Sequence, residues 1–281
     1  MRLGQWRDEF EAVARGTVAE GATQGAVAYA LDRVQSARAG SPNKESVKIV
    51  EHPDVRRMLL RMKAQTQAAR ALVYYAAGQV DRANMGDAAA RNRLELVTPL
   101  AKAHGTDIGN EVASLGIQVH GGMGYVEETG AAQYFRDARI TPIYEGTNGI
   151  QAADLVGRKL ALDNGGAFAT LIADIRAEAK DERLLALVDA CDAIGRRLAT
   201  ADADDKLAAS YPFLTMLSVA TCGWLMERQG AVAGTDDFGR MKAASVRFYL
   251  EQTVPEAMGL VAAASASAAV LYAIEPALFA A

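Results

Sequence analysis

Apolar residues recur along most of this chain at three- and four-residue steps, the spacing of one face of an α-helix. From Asp8 to about Arg38, Val13, Thr17, Gly21, Gln24, Ala28 and Leu31 keep that spacing. It predicts a first helix ending near the turn cluster Ala39-Gly40-Ser41-Pro42-Asn43. Gly16, Gly21 and Gly25 each weaken its intrinsic propensity by up to about 1 kcal/mol against Ala, so close helix packing is expected there. A second helix opens at His52-Pro53-Asp54, with the residue types that helix starts prefer. Val55, Met58, Leu59, Met62, Ala69, Leu72, Val73 and Ala76 form its apolar stripe, and Arg56, Arg57, Lys63 and Arg70 mostly lie off it. After a loop around Asn84-Met85-Gly86-Asp87, a third helical stretch runs from about Ala88 to Val119. Pro99 inside it is expected to kink or split it, because proline lacks the N–H and clashes with the preceding turn.

That stretch stops at the glycine-dense run His120-Gly121-Gly122-Met123-Gly124-Tyr125. A short helix is expected from about Glu127 to Arg139, then a loop through Asn148, then a helix from Gly149 to Leu162. Asp163-Asn164-Gly165-Gly166 reads as a domain boundary or a long turn. From 167 to 281 the periodicity predicts three or four more helices, packed as a bundle, with breaks near Asp202–Asp204, Gly234–Asp236 and Thr253–Pro255. No repeat of fixed period and no strand pattern longer than a few residues stands out. The fold expected is all-α.

Composition agrees with that reading. The chain is 51% apolar, 6% aromatic and carries only 7 prolines, which leaves room for long helices and a sizeable core. At about 100–200 residues per domain, 281 residues suggest two domains or one large one. A net charge of −4 without a basic stripe gives no reason to expect nucleic-acid binding. Cys191 and Cys222 lie far apart and are read as buried core thiols in a reduced compartment. His52, His104 and His120 lack partners at zinc-like spacing, so no metal site is expected. The N-terminal run MRLGQWRDEF has no signal-peptide core, and no apolar run approaches the roughly 20 residues of a membrane span. A soluble, cytoplasmic protein is expected.

Two polar islands interrupt the helices. In the first, Gln118 to Tyr125, three glycines let the backbone approach a ligand or a second chain, and exposed N–H groups can meet phosphate oxygens. A tight helix–helix turn explains the same residues. The second is Tyr144-Glu145-Gly146-Thr147. A Glu on an apolar, water-poor surface has a raised proton affinity and can act as a general base. A surface or capping Glu is the plainer alternative. Thr147 and Asn148 suit helix N-capping. No G-x-S-x-G elbow and no G-x-G-x-x-G after a strand is present. His-Pro-Asp at 52–54 also occurs in co-chaperone J-domains, but its context here is that of a helix start.

Taken in order, the islands and their flanks resemble the C-terminal helical domain of the acyl-CoA dehydrogenases. The joint pattern is Q-x-H-G-G-x-G-Y at 118–125, R-D-A-R at 136–139 and Y-E-G-T at 144–147. The resemblance covers about Thr17 to Asp163, and the tail from 167 is similar to the extra helical domain of longer members, including those acting on 3-methylmercaptopropionyl-CoA. It implies a C-terminal four-helix bundle over 1–164 and a second helical bundle over 165–281. It implies FAD as cofactor and Glu145 as the base that removes the α-proton of an acyl-CoA thioester, with the β-hydrogen leaving as hydride to the flavin. It places Gln118, Gly121 and Gly122 at the FAD adenylate and pyrophosphate, usually of a neighbouring subunit. The resemblance also implies that Arg33 pairs with FAD phosphate across that interface and that Gln35 follows at a nearby matching position. It implies that Thr147 and Asn148 approach the flavin and that Arg136 and Arg139 stabilise the fold. A guanidinium on a diphosphate is sound chemistry.

Family members begin with an N-terminal helical domain and a middle β-domain that holds the isoalloxazine ring, and neither is expected here. The resemblance therefore implies an acyl-CoA substrate, an electron-transfer acceptor, and a homo-oligomer or a hetero-oligomer with a chain carrying those two domains. The alternative is a non-catalytic remnant or oligomerising helical scaffold.

Overall fold

The structure, a computed structural model, describes residues 17–281. The readings that fall on residues 1–16, including Val13 and Gly16, lie outside the described residues. Among the described residues every regular element is helical, and the only extended pairing is an isolated antiparallel bridge between Val34 and Lys48.

Helix α1 spans Thr17–Asp32. It stops several residues before Arg38, because the next backbone groups pair elsewhere. The Gln35 N–H donates to the Val47 carbonyl (3.0 Å) and the Ile49 N–H to the Arg33 carbonyl (2.8 Å). Helix α2 (Pro53–Asn84) begins where His-Pro-Asp predicts, and Met58, Met62, Leu72, Val73 and Ala76 of its stripe are buried. Helix α3 (Ala88–His120) is one helix with Pro99 in its interior, not two. The reason is packing: Leu96, Val97, Leu100 and Ala101 around the proline are fully buried. Their burial offsets the roughly 3 kcal/mol that an interior proline costs.

A single turn, α4 (Gly122–Tyr125), follows. The helix expected over 127–139 is divided at Gly130, whose φ of +75° is left-handed, into a 3-10 turn (Glu127–Thr129) and α5 (Ala131–Arg139). Helix α6 (Asn148–Gly157) ends five residues before Leu162. A 3-10 segment (Lys159–Gly165) then turns through left-handed Asp163 and Asn164. The remaining elements are α7 (Gly166–Glu178), α8 (Glu182–Thr200), α9 (Ala203–Ala231), α10 (Asp237–Phe248), α11 (Val254–Met258) and α12 (Val261–Ser265). The break between α7 and α8 was not legible in the periodicity. Asp181 makes it, accepting from the Arg183 and Leu184 N–H groups at 2.9 and 3.3 Å. No break occurs at Thr253–Pro255. A π-turn (Tyr249–Thr253) carries α10 into α11, and Pro255 stands in the first turn of α11.

The chain divides into two compact units. One comprises 17–74, Gly105–Tyr144 and Leu225–Tyr249. Its core joins Ala22, Ala26 and Ala30 of α1 to Met58 and Met62 of α2 and Ile108 and Val112 of α3. Between α1 and α2 an apolar groove of about 610 Å³ is lined by Val27, Leu31, Val50, Leu59 and Leu60. The other unit comprises Tyr75–His104, Glu145–Trp224 and Leu250–Ala281. Leu100, Leu155, Leu171, Leu187 and Phe213 are among its fully buried side chains. Its buried Arg93 donates to the Tyr75 hydroxyl (2.6 Å) and to Asp174 (2.7 Å), the pairing that a buried charge requires. Cys191 and Cys222 are both buried in this unit and form no disulfide among the described residues.

Burial holds the His104 imidazole down to about 4. Unfolded histidine titrates near about 6.5. The neutral side chain therefore contributes its full stability above the unfolded value, and that contribution is lost as pH falls toward the folded one. We expect unfolding free energy to drop by up to about 3 kcal/mol across this window. Urea unfolding as a function of pH, against His104→Gln, checks it: the variant should show a flatter profile over the same range.

Candidate active site and cofactor site

Two groups of sequence-predicted residues fall in different compact units, and each stands by itself. In the first unit α1 and α3 pack closely: a Cβ on Gly116 would lie 3.6 Å from the Ala22 Cβ. Toward the ends of both helices the Tyr29 ring stacks on His120 with centroids 4.4 Å apart. The His120 Nδ1 lies 2.7 Å from the Gly116 carbonyl, which fixes the ring. The stack sets the end of α1 beside the turn at Gly121. It brings the Arg33–Gln35 segment and the Gln118–Gly122 segment to one end of this unit. Arg33, Gln35, Gln118, Gly121 and Gly122 are all exposed. The side chains of Arg33, Gln35 and Gln118 make no hydrogen bond or ion pair with a described residue. The Gln35 carbonyl lies 2.9 Å from His52 Nε2, tying the arm to the start of α2.

The three glycines of the first island have different causes. Gly121 adopts φ +61° and ψ −141°, a conformation essentially restricted to glycine. Gly124 is buried, and a Cβ there would come within 2.4 Å of the Ile117 carbonyl oxygen. Gly122 has neither constraint: a Cβ on it would meet no atom within 4 Å. The turn thus accounts for Gly121 and Gly124, and leaves Gly122 open to an approaching group. Arg136 pairs at the surface with Glu127 (3.2 Å) and Gln133 (2.6 Å), and Arg139 is exposed.

In the second unit Glu145 and Gly146 are consecutive left-handed residues, with φ of +54° and +85°. Thr147 caps α6, its Oγ1 accepting from the Ile150 N–H at 3.3 Å. Asn148 is 4% exposed, and its Nδ2 donates to the Ala103 carbonyl at 3.0 Å. The Lys102 Nζ donates to the Gly146 carbonyl (2.9 Å) and to the Asn148 Oδ1 (3.0 Å). Glu145 itself is exposed, so the water-poor surface expected around it is not formed by the residues of this unit. Lys102 was missed in the sequence. The available signal was a lysine between buried Leu100, Ala101 and Ala103 of α3.

Among the described residues no three His, Cys, Asp or Glu are placed to hold a metal ion, and no helix is long and apolar enough to cross a membrane.

A family model described as "Acyl-CoA dehydrogenase, C-terminal domain" matches residues 11–160, and a second, "Acetyl-CoA dehydrogenase C-terminal like", matches 164–275. The chain is 42% identical over 265 residues to 3-methylmercaptopropionyl-CoA dehydrogenase of Ruegeria pomeroyi, covering 85% of this chain and 45% of the relative. It is 32% identical over 265 residues to a butyryl-CoA dehydrogenase of Syntrophomonas wolfei, covering 83% and 43%. The crystal structure of an acyl-CoA dehydrogenase complexed with FAD from Bacillus anthracis superposes with a TM-score of 0.68 at 20% identity, over 89% of this chain and 47% of that one. That likeness is one of fold. The chain spans less than half the length of these relatives.

Proposed function

The chain belongs to the acyl-CoA dehydrogenase family, and on that premise we propose that it forms the C-terminal part of an FAD-dependent acyl-CoA dehydrogenase. The substrate class is an acyl-CoA thioester. Glu145 takes the α-proton while the α C–H electron pair becomes the α,β double bond. Bound FAD supplies the acceptor for the hydride that leaves the β-carbon. Gln118, Gly121, Gly122 and Arg33 hold the adenylate and diphosphate, with Gln35 beside them. Thr147 and Asn148 fix the turn that carries the base where it meets the flavin.

The observation that carries this reading is the pairing of exposed, uncommitted Arg33, Gln35 and Gln118 with a glycine that no packing requires, Gly122, at one end of a unit. A guanidinium, two amides and open backbone suit a diphosphate, whose oxygens need charge and several donors at short range. We further propose that the flavin-ring platform and the closure over the thioester come from polypeptide outside these 281 residues. That arrangement gives Glu145 the dry surround its own unit lacks. The apolar groove between α1 and α2 supports self-association through these helices. We also propose a domain division at 164/165 and an onward passage of electrons to a separate acceptor.

Titration of the purified protein with FAD, followed by flavin fluorescence, tests the cofactor site. Arg33→Gln should weaken binding by at least about tenfold, the usual effect of losing one charge-assisted bond to phosphate. Unchanged affinity would remove Arg33 from the site, and absence of FAD binding even with the polypeptide that carries the flavin platform would favour a helical scaffold.

A further inference from the structure

We infer that Lys102 is the positioning residue for Glu145: its ammonium clamps the two-residue left-handed turn that presents the carboxylate. The inference rests on the reading of Glu145 as the base, but its physical basis is independent of it.

Glu145 is one of the few non-glycine residues with positive φ among those described, and Gly146 after it is left-handed too. L-residues rarely hold such a conformation unless their surroundings impose it. Here the imposing contacts come from one residue of α3 and its neighbour. The Lys102 Nζ meets the Gly146 carbonyl at 2.9 Å and the Asn148 Oδ1 at 3.0 Å, so one ammonium spans the turn from just after Glu145 to the first residue of α6. The same Asn148 is fixed from its other side, because its Nδ2 donates to the Ala103 carbonyl at 3.0 Å. Asn148 is buried and its amide is thereby oriented, so the clamp closes on a fixed point. Glu145 makes no contact of its own that would hold it: its carboxylate has no hydrogen bond or ion pair with a described residue. Its direction is therefore set by the backbone, which Lys102 holds from α3 beside the Thr147 cap. A general base must stand within hydrogen-bond reach of the proton it takes, so a clamp of this kind acts on the chemical step rather than on substrate affinity.

Amide hydrogen exchange of the full chain, read by mass spectrometry, tests this. Lys102→Met keeps the length of the stem and removes the donors. It should raise exchange in the peptide spanning 143–150 by about tenfold, the population shift expected from losing a charge-assisted hydrogen bond. Peptides within 203–231 should exchange as in the unaltered protein. Lys102→Arg, which restores charge and donors, should recover most of the protection, and Lys102→Gln serves if the Met variant does not fold. Glu145→Gln should leave exchange unchanged, which separates the clamp from the base. In a preparation that turns over, Lys102→Met should lower kcat with KM for acyl-CoA unchanged. Unaltered exchange at 143–150 would overturn the inference. So would an equal rise along the whole chain, which would mark Lys102 as a general stabiliser. Retained turnover in Glu145→Gln with the exchange result intact would defeat the base assignment and leave the clamp standing.

Discussion

Glu145→Gln should lower acyl-CoA turnover by about 10²–10⁴-fold while the protein stays folded and FAD stays bound. Glutamine keeps the shape of the side chain and cannot accept a proton at neutral pH. The substitution costs no contact, because the Glu145 carboxylate is exposed and is paired with no described residue. Its left-handed backbone is no harder for Gln than for Glu, since neither side chain branches at Cβ. Loss of rate without loss of stability is the signature of a group acting in the reaction and not in the fold. Dye reduction in steady state, together with thermal unfolding of the same preparation, measures both.

The second large effect separates the glycines of the first island. Gly124→Ala should destabilise the protein by about 2–3 kcal/mol, while Gly122→Ala should stay within about 0.5 kcal/mol. The added methyl at 124 would sit 2.4 Å from the Ile117 carbonyl oxygen and 2.9 Å from the His120 Cβ. Both neighbours belong to the last turns of α3, and a backbone carbonyl within a helix has little freedom to retreat. At 122 the methyl meets open space, and alanine even favours the helical turn that starts there. The same methyl would narrow the proposed approach to the diphosphate, so Gly122→Ala should weaken FAD binding. Chemical denaturation and FAD titration of the two variants give the comparison. Equal destabilisation would mean that the island is a turn and nothing more.

How far the sequence reveals the molecule depends on which physical effect dominates locally. Helix α2 was legible from end to end, because one long apolar stripe and a proline at its start agree with each other. Helix α1 overran, since helical spacing says nothing of the backbone pairing between Arg33–Gln35 and Val47–Ile49. Pro99 does not split α3 for a related reason: its local cost is real, and burial on both sides outweighs it. The start of α8 depended on one capping aspartate, a signal too small for periodicity to register. The site divides in the same manner. Gly121, Gly122 and Glu145 stand out as polar islands in a helical chain, whereas Arg33 enters only through the family resemblance. Lys102 was not legible, because its role lies in two bonds to a turn more than 40 residues away, and only the fold brings them together.

Rapid anaerobic mixing of butyryl-CoA with the FAD-loaded assembly of this chain and the polypeptide that carries the flavin platform tests the central claim most directly. Thioester-dependent bleaching of the flavin is expected in the native protein and no bleaching in Glu145→Gln carrying the same bound FAD. Bleaching at equal rates in both, or none in native protein that holds the flavin, would contradict it.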